Sequence, residues 1–380
     1  MKKVPLILVV CSQIVFSQIE KEINELNSTD DLLTVQVKTV VADNIRENQT
    51  VFLGESVHYS GSDFYAKTEF VKYLVTEHGY KDIAFESDFF ALQFDHKKRN
   101  LFNFWSKSNQ CKELFTFLKK NNVTIWGFDN RLAAPYSYQN FTKKLNEVLD
   151  KSGVELDNDF DRIAKTLIKN EYDSRIKISQ EEIDFLYDYT NQLLKNQVIK
   201  SSAQWTQILN SFKSAIALYT VKDNISDKKR IAIRDRQMAK NLDFLIKQNA
   251  NKKFIIWLAN GHMSKSNSKL MHGQTMGYQF RQLNPKSSYH IAVGSIKLPP
   301  RTEKDVIKAS KNDKSILSLL PSLDKNYFIN SKQLTKNNPE FNYKLFNDLY
   351  IFNLESNKTK LFSHFDALVF IANGEEVKYD

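Results

Sequence analysis

The sequence contains few cysteines and lacks several motifs that define a site by themselves. Only Cys11 and Cys111 occur among the 380 residues, and there is no CxxC pair. There is also no glycine-rich phosphate loop, no H-E-x-x-H pair and no G-x-S-x-G elbow. A metal-dependent hydrolase and a serine hydrolase of the elbow type are therefore left without support from a motif.

Long hydrophobic runs and a concentrated basic region are also missing. No segment beyond the N-terminus is long and apolar enough to be a transmembrane helix. The net charge is +10, but Lys and Arg are scattered among acids and no nucleic-acid module is present, so we expect no nucleic-acid partner. Hydrophobic residues make up 42% of the chain, which is enough for a sizeable core in one large domain with insertions, or in two domains.

The N-terminus has the pattern of a secretory signal peptide. Lys2 and Lys3 precede an apolar run, Val4–Phe16, that is too short to span a bilayer. The pattern suits cleavage just before Gln18. We therefore expect residues 1–17 to be removed and the mature protein to be exported to the periplasm or the extracellular space.

The two cysteines lead to two further expectations. Cys11 suggests a lipid anchor as an alternative, but Val10 is bulkier than the residue expected before a lipidated cysteine, so no stable membrane anchor is predicted. After cleavage Cys111 is the only cysteine, which excludes an intramolecular disulfide. No basic group or turn beside Cys111 favours its thiolate, so a structural role is predicted.

Six short apolar runs have the character of buried strands. Continuous runs of this kind are typical of strands that are covered on both faces. A helical pattern at 64–79, ending at Gly79, separates the first two runs. The alternation of strand and helix predicts a parallel sheet. The six runs are 50–55, 82–87, 123–129, 253–262, 289–295 and 366–373.

The sequence therefore predicts an α/β fold with a mostly parallel central sheet flanked by helices. Residues 138–225 have helical patterns and no strand-like run, which indicates a helical insertion between two halves of the core. We expect this insertion to cover the cleft, because it connects strand ends. The predicted division is a signal peptide (1–17), a first α/β half (18–137), the insertion (138–225), a second α/β half (226–300) and a C-terminal region that completes the sheet (301–380).

Polar or ionisable residues follow four of the predicted strands. In open α/β sheets, ligands bind in the crevice beyond the carboxyl ends of the strands. Residues that are distant in the sequence would converge there, so these positions predict a site. They are Glu55, His58, Glu86, Asp129, Asn260 and His262.

The residue types indicate general base chemistry. A neutral imidazole (His58) beside a carboxylate (Glu55) can take a proton from water, while the carboxylate orients the ring and stabilises its charged form. His262 and a cation could then stabilise a developing oxyanion. Arg234, which we predict to open a helix over 233–248, is one candidate cation, and Lys67 on the helix after the first strand is another.

Six segments in order resemble the erythromycin esterase family. They extend over roughly residues 48–295, and "FDALVFI" near the C-terminus resembles the last strand of the family. The resemblance implies an α/β core with a helical insertion, a deep cleft and water-mediated opening of a macrocyclic lactone ester, with a possible role in antibiotic resistance. The segments are "LGESVH", "IAFES", "WGFDNR", "RDRQMAKNLDFL", "IIWLANGHMSK" and "MGYQFRQ".

The resemblance also implies roles for individual residues. Many members follow the first histidine with Gly-Thr and an acid, whereas this chain has the loop 59–63, "YSGSD", so the surroundings of the substrate differ. A small-molecule ester is the expected partner, and no cofactor or metal is expected. The predicted catalytic residues are His58, Glu55, Glu86, His262 and Arg234, and the predicted substrate-binding residues are Lys67, Asp129 and Asn260.

Two alternatives from other classes remain open. One is a metal-dependent hydrolase or metal-binding protein of similar fold, in which the four candidate ligands of a divalent cation are Glu55, His58, Glu86 and His262. The other is a secreted binding protein that has kept the cleft and lost the reaction.

Overall fold

The computed structural model describes residues 22–170, 177–220, 226–267, 274–347, 349–353 and 358–379. The predicted signal peptide and Cys11 lie outside the described residues. None of the described helices is long and apolar enough to cross a bilayer.

Eight strands form one central sheet, and two very short strands form a separate ribbon. The strands are β1 (Ile23–Leu26), β2 (Thr50–Glu55), β3 (Asp82–Asp88), β4 (Thr124–Asp129), β5 (Phe254–Ala259), β6 (Ser288–Lys297), β7 (Asn326–Asn330), β8 (Phe346–Asn347), β9 (Lys358–Thr359) and β10 (Ala367–Asn373). The order in the central sheet is β1-β7-β10-β6-β2-β5-β3-β4, and β8 pairs with β9. The six strands from β10 to β4 are parallel, whereas β7 runs antiparallel to both β10 and β1.

Helices lie before, between and after these strands. They are α1 (Val35–Ile45), α2 (Gly61–His78), α3 (Phe89–Phe94), α4 (Asn103–Ser106), α5 (Lys112–Lys120), α6 (Pro135–Leu149), α7 (Asn158–Asn170), α8 (Gln180–Leu193), α9 (Gln197–Lys200), α10 (Ala203–Tyr219), α11 (Ser226–Gln248), α12 (Asn260–Met263), α13 (Met276–Leu283), α14 (Glu303–Ser310), α15 (Ser331–Asn337), α16 (Leu349–Phe352) and α17 (Leu361–His364). The predicted α/β class with a mostly parallel sheet is confirmed.

The alternation of side chains along each strand explains why both faces of the sheet are covered. In β2, Val51 and Leu53 join the apolar cluster on one face, and Phe52 joins the cluster on the other. Successive side chains of a strand point to opposite faces, so a continuous apolar run fills two cores at once. All six predicted strands are present for this reason.

The sequence did not predict the two antiparallel strands, β1 and β7, at one side of the sheet. β1 and β7 are short, and each carries asparagine among its apolar residues. They pair antiparallel beyond β10, at the side of the sheet away from the predicted site. Short strands with polar residues lack the continuous apolar run that marks the parallel strands of this sheet.

The boundaries of two predicted helices change in the structure, and the fourth predicted strand ends at Ala259, before α12. The helix after β2 starts at Gly61 and ends at His78, and Gly79 adopts the left-handed conformation (φ 72°) expected of a helix stop. The helix that carries Arg234 starts at Ser226, so Arg234 does not open it as predicted. The residues "KKRIAI", which include three cations and mostly favour helix, extend this helix on the N-terminal side of Arg234.

A third apolar cluster fills the helical region between β4 and β5. Helices α6 to α10 occupy most of residues 135–219, and their buried side chains pack with Phe89 and Phe90 of α3. The cluster is separate from the two that cover the faces of the sheet. These helices therefore have a core of their own beside the sheet.

Candidate active site

A cavity of about 1090 Å³ lies where several parallel strands end. His58, Glu86 and Arg234 all line it. Its other walls come mainly from residues 98–112, between α3 and α5, and from 131–135, between β4 and α6. The crevice beyond the strand ends is the usual ligand site of open α/β sheets.

The helical insertion does not form the wall that we expected. None of the described residues between 138 and 220 lines the cavity. The connection between β3 and β4 fills that place, because its short helix α4 and its turns fold back over the strand ends. The insertion instead packs its apolar side chains on α3 and into its own cluster.

The first carboxylate–imidazole pair is formed by Glu55 and His58. Glu55 is the last residue of β2, and His58 follows in the loop before α2. His58 Nδ1 lies 2.9 Å from Glu55 Oε1, and 38% of the His58 side chain is exposed. With Nδ1 bound to the carboxylate, the other ring nitrogen, Nε2, is the one available to the cavity.

The buried side chain of Lys67 holds Glu55 of this pair in place. The ammonium of Lys67 donates to Glu55 Oε2 and to the carbonyl of Leu258, and it lies 3.8 Å from the centre of the Trp257 ring. Lys67 and Glu55 are both fully buried. Burial lowers the pKa of Lys67, and the charge of Glu55 opposes this shift. A buried carboxylate needs such a partner to remain charged.

The second carboxylate–imidazole pair is formed by Asp235 and His262. His262 Nδ1 lies 2.7 Å from Asp235 Oδ1, and Asp235 Oδ2 accepts a hydrogen bond from the backbone N–H of Met276. His262 lies on α12, directly after β5, and 17% of its side chain is exposed. β5 is the neighbour of β2, so the two pairs lie side by side at the carboxyl ends of these strands.

Arg234 connects the second pair to two buried carboxylates. Its Nη2 donates to Glu86 Oε1 and to Asp129 Oδ2, each at 2.7 Å. Its Nε also contacts both oxygens of Asp129, at 3.1 and 3.2 Å. Its Nη1 lies 3.3 Å from His262 Nε2. The guanidinium is therefore fixed in position by hydrogen bonds to two carboxylates, Glu86 and Asp129.

Charge within this cluster shifts two pKa values in opposite directions. Burial alone would raise the pKa of Glu86, but the nearby charges of His262 and Arg234 outweigh burial and hold the pKa at about 2. Burial alone would lower the pKa of His262, but Asp235 and Glu86 raise it to about 9. His262 is thus an imidazolium at neutral pH, with its Nε2 3.5 Å from Glu86 Oε1.

The three residues predicted to bind substrate lie beneath the cavity surface, which corrects that prediction. Lys67 is fully buried under Glu55, and Asp129 is 1% exposed and bound to Arg234. Asn260 is fully buried, and its amide donates to the carbonyls of Val293 and Ile351. All three hold other parts of the site in place.

Close packing explains the burial of Asn260. A side chain at Gly54, on β2, would collide with the Asn260 side chain and with Met263. Glycine at this position lets the turn after β5 lie directly against β2. His262, two residues further on, contacts Arg234 and Glu86 and is 17% exposed, whereas Asn260 points into the protein.

Aromatic rings cover one side of His58. The Phe104 ring is stacked on the imidazole with centroids 4.3 Å apart, and the Trp105 ring meets it edge-on at 5.6 Å. Both belong to α4, which the sequence prediction did not include. The contact fixes the plane of the imidazole, because both its bonded nitrogen and its face are held.

The C-terminal residues join this wall to the loop that carries His58. Gln110 donates to Glu375 Oε1 and accepts from the backbone N–H of Lys378. On the other side, the N–H of Gly61 donates to the carbonyl of Glu375, and that of Val377 donates to the carbonyl of Tyr59. Residues 375–378 therefore connect the two segments that flank His58.

Asp235 and Phe104 are the main site residues that the sequence analysis missed. Asp235 follows Arg234 in "RDRQMA", so a carboxylate beside the predicted cation was a visible signal. Phe104 gave no signal, because an aromatic residue in a loop segment is common and its contact with His58 depends on the fold. Cys111 is buried, and burial raises its pKa to about 12, which agrees with a structural thiol.

The described residues do not contain a group of three or more His, Cys, Asp or Glu side chains arranged to hold a metal ion. Of the four candidate ligands, Glu55 is bound by Lys67 and His58, and Glu86 is bound by Arg234. The two carboxylates thus already neutralise cationic side chains of the protein. This donor set does not fit a divalent cation well, because its oxygens are engaged.

Fold and site together define an α/β protein with two carboxylate–imidazole pairs at the carboxyl edge of its sheet. The chain belongs to the erythromycin esterase family, whose model matches residues 75–298. The matched range contains Glu86, Arg234 and His262, and it begins after Glu55 and His58.

One relative and two solved structures illustrate the similarity. A putative hydrolase, YbfO, of Bacillus subtilis is 25% identical over 297 residues, which are 66% of this chain and 65% of that protein. The chain thus matches somewhat less than two thirds of that relative. A Bacillus cereus protein of known structure has a TM-score of 0.75 at 16% identity, over 97% of this chain and 99% of that one. A variant of the erythromycin esterase EreC in its open conformation has a TM-score of 0.69 at 13% identity, over 94% and 98%.

Proposed function

We propose that this protein is an exported hydrolase that cleaves a carboxylic ester by direct attack of water. The observation that carries the proposal is the partly exposed imidazole of His58, which is held by Glu55 and lines a large cavity. Membership of the erythromycin esterase family and similarity to a protein named as a putative hydrolase support the same class. A macrocyclic lactone is one candidate substrate, because the family name points to it.

His58 would act as the general base. Its Nδ1–H donates to Glu55, which leaves the lone pair of Nε2 free to accept a proton from water. The water oxygen bonds to the ester carbonyl carbon as that proton moves to Nε2. The imidazolium formed is stabilised by Glu55, whose own charge is fixed by Lys67.

Arg234 and His262 would stabilise the oxyanion of the tetrahedral intermediate. Arg234 lines the cavity, and His262 adds a second positive charge directly behind it. Both are held before the reaction starts, so little reorganisation is needed as the charge develops. The intermediate then collapses, the bond from carbon to the leaving oxygen breaks, and the proton on His58 passes to that oxygen.

Two nucleophilic side chains, Ser56 and Cys111, are poorly placed to form a covalent intermediate. The hydroxyl of Ser56 donates to Asp63 Oδ2 at 2.7 Å, and both residues are buried. Cys111 is fully buried with a raised pKa. Water therefore fits the role of nucleophile better than either side chain.

The test is turnover by the purified mature chain on generic esters and on a macrolide. We expect ester hydrolysis that is unchanged after treatment with a chelator and that is lost in His58→Ala. Loss of activity with the chelator, restored by a divalent metal, would favour the metal-dependent alternative. A chain that binds but turns over no ester would favour the binding-protein alternative.

Export is proposed on the basis of the N-terminal pattern alone. Expression of the full chain in a bacterial host, followed by N-terminal sequencing, should find a mature chain that starts at Gln18. An intact Met1, or a lipid on Cys11, would contradict the proposal.

A further inference from the structure

We infer that the natural substrate carries a negatively charged group besides its ester. The exposed part of the cavity wall at Lys98, Arg99 and Lys107, here called the mouth, binds this group. The inference rests on the hydrolytic function proposed above and specifies its substrate class. It follows from the distribution of charge on the cavity walls.

Cationic side chains greatly outnumber carboxylates on these walls. Glu86 is the carboxylate among the described lining residues. Its charge is already bound by Arg234 at 2.7 Å. The cationic lining residues are Lys98, Arg99, Lys107, Lys112, Arg131 and Arg234.

Carboxylates neutralise the cations beside Glu86, whereas two cations of the mouth, Lys98 and Lys107, have no carboxylate of the described residues within ion-pair distance. Arg234 is paired with Glu86 and Asp129, and His262 with Asp235. The excess positive charge therefore comes from the residues that precede and follow α4, which are exposed to solvent. Binding energy for an anion is concentrated away from His58.

Two lysines contribute most directly to this excess. Among the described residues, neither Lys98 nor Lys107 has a carboxylate within ion-pair distance. The ammonium of Lys98 lies 5.3 Å from the centre of the Phe115 ring, and this ring carries no net charge that could neutralise it. Arg99 is bound to Asp95, while Lys112 and Arg131 each have interactions of their own.

Apolar side chains form part of the cavity lining. Phe104 is stacked on His58, so apolar surface adjoins the proposed base, and an apolar spacer between ester and anion fits the cavity. The apolar lining residues are Leu101, Phe102, Phe104, Ala133 and Pro135.

Clefts lined by one sign of charge concentrate ligands of the opposite sign and speed their association. Charges at the rim act mainly on the rate of association, and salt screens them. The expected signature is a kcat/KM that favours an anionic ester at low ionic strength. A substrate with a protonated amine would be disfavoured by the same charges.

The experiment uses two chromogenic probes, 4-nitrophenyl hexanoate and the mono-4-nitrophenyl ester of adipic acid. Both have a six-carbon acyl chain, and only the second ends in a carboxylate. We expect kcat/KM to be higher for the adipate ester at low salt, and this preference to shrink several-fold when the ionic strength is raised to about 0.5 M. Equal kcat/KM values at low salt would overturn the inference.

Matched double variants separate the mouth from the overall charge of the protein. Lys98→Gln with Lys107→Gln should reduce the preference for the adipate ester by about three- to tenfold. Lys119→Gln with Lys120→Gln removes the same charge from the last turn of α5, whose first residue, Lys112, lines the cavity. This control should retain the preference. An equal loss in both double variants would contradict binding at the mouth.

A binding measurement distinguishes failure of this inference from failure of the proposed hydrolysis. In His58→Ala, quenching of tryptophan fluorescence should show tighter binding of the adipate ester than of the hexanoate ester. Selective binding without turnover by the wild type would overturn the hydrolytic function and retain the anion site. Hydrolysis of both esters with no selectivity in rate or binding would retain the hydrolytic function and overturn the anion site. Competition by adipate and by hexyl phosphate then shows whether a carboxylate or a phosphate suits the mouth better.

Discussion

The two carboxylate–imidazole pairs share the same bond and differ in almost everything around it. In each pair the ring nitrogen Nδ1 faces a carboxylate, at 2.9 Å for His58 and at 2.7 Å for His262. His58 is 38% exposed, and its Nε2 is available to the cavity. His262 is 17% exposed, and its Nε2 faces Glu86 and Arg234.

This difference shows that the far side of the ring decides what a carboxylate-bound histidine can do. An imidazole with a free Nε2 can exchange a proton with water. An imidazole between two carboxylates is held in its charged form and provides a fixed positive charge. Two similar pairs whose surroundings differ in this way can act as base and as electrostatic stabiliser in one site.

The largest effect is expected from removing the first imidazole. His58→Ala should lower kcat by about two to four orders of magnitude, the usual contribution of a general base. His96→Ala is a suitable control, because His96 bonds to the carbonyl of Ile125 and does not line the cavity. Steady-state rates on a generic ester measure the effect. A wild-type rate in His58→Ala would place the base elsewhere.

A second prediction distinguishes the effect of Glu55 on the activity of His58 from its effect on the stability of the protein. Glu55→Gln should lower kcat and also destabilise the protein by about 3–5 kcal/mol, because the buried charge of Lys67 loses its partner. Adding Lys67→Met removes the unpaired charge and should restore much of the stability without restoring kcat. Denaturant unfolding and steady-state kinetics give the two readouts.

Glu55 would have only a structural role if the double variant regained activity along with stability. If neither single nor double variant changed kcat, the orientation of His58 would not depend on the carboxylate. The two outcomes can be told apart. In the first, activity is lost and regained together with stability; in the second, kcat does not depend on Glu55 at all.

The third prediction concerns the second imidazole and its charge. The pKa of His262 is raised to about 9 in the folded protein, so the stability that its charge contributes is complete below its ordinary pKa of about 6.5 and is lost as the pH rises through 9. The Tm of the wild type should therefore fall between pH 7 and pH 10 by more than that of His262→Gln. Thermal scans of both proteins across this range measure the difference.

The same variant tests the catalytic role of that charge. His262→Gln keeps a hydrogen-bond donor beside Arg234 and loses the positive charge, so kcat should fall by about ten- to a hundredfold while KM changes little. A histidine with only a structural role would give a less stable protein with a normal kcat per folded molecule.

The six parallel strands of the sheet could be predicted from the sequence, and the two antiparallel strands beyond β10 could not. The six strands from β10 to β4 have continuous apolar runs because both of their faces are covered. β1 and β7 lack such runs, and the residues between 301 and 365 mix short helices and strands without a period. The start of α11 was placed too late, because the pattern before Arg234 is too polar to mark a buried helix face.

The sequence suggested which residues are candidates for the site, but it did not show which of their side chains contact one another. Polar residues after parallel strands indicate a shared end of the sheet. In the structure Glu55 contacts His58, and Glu86 lies 3.5 Å from His262. Whether a side chain faces the cavity depends on packing, which the pattern does not contain. Asn260 points inward for that reason, and Lys67 lies under Glu55 instead of beside a substrate.

The smallest effect is expected from the ring that covers His58. Phe104 stacks on this imidazole, whereas His262 makes no ring contact among the described residues. Phe104→Ala should free the plane of His58 and lower kcat by about two- to tenfold, because aromatic contacts of this kind contribute roughly 0.5–1.5 kcal/mol. Phe104→Leu keeps the apolar volume and loses the stacked face, so an intermediate kcat is expected if stacking matters. If leucine restores the full rate, the ring acts only by excluding water, and the first pair then owes its orientation to Glu55 alone.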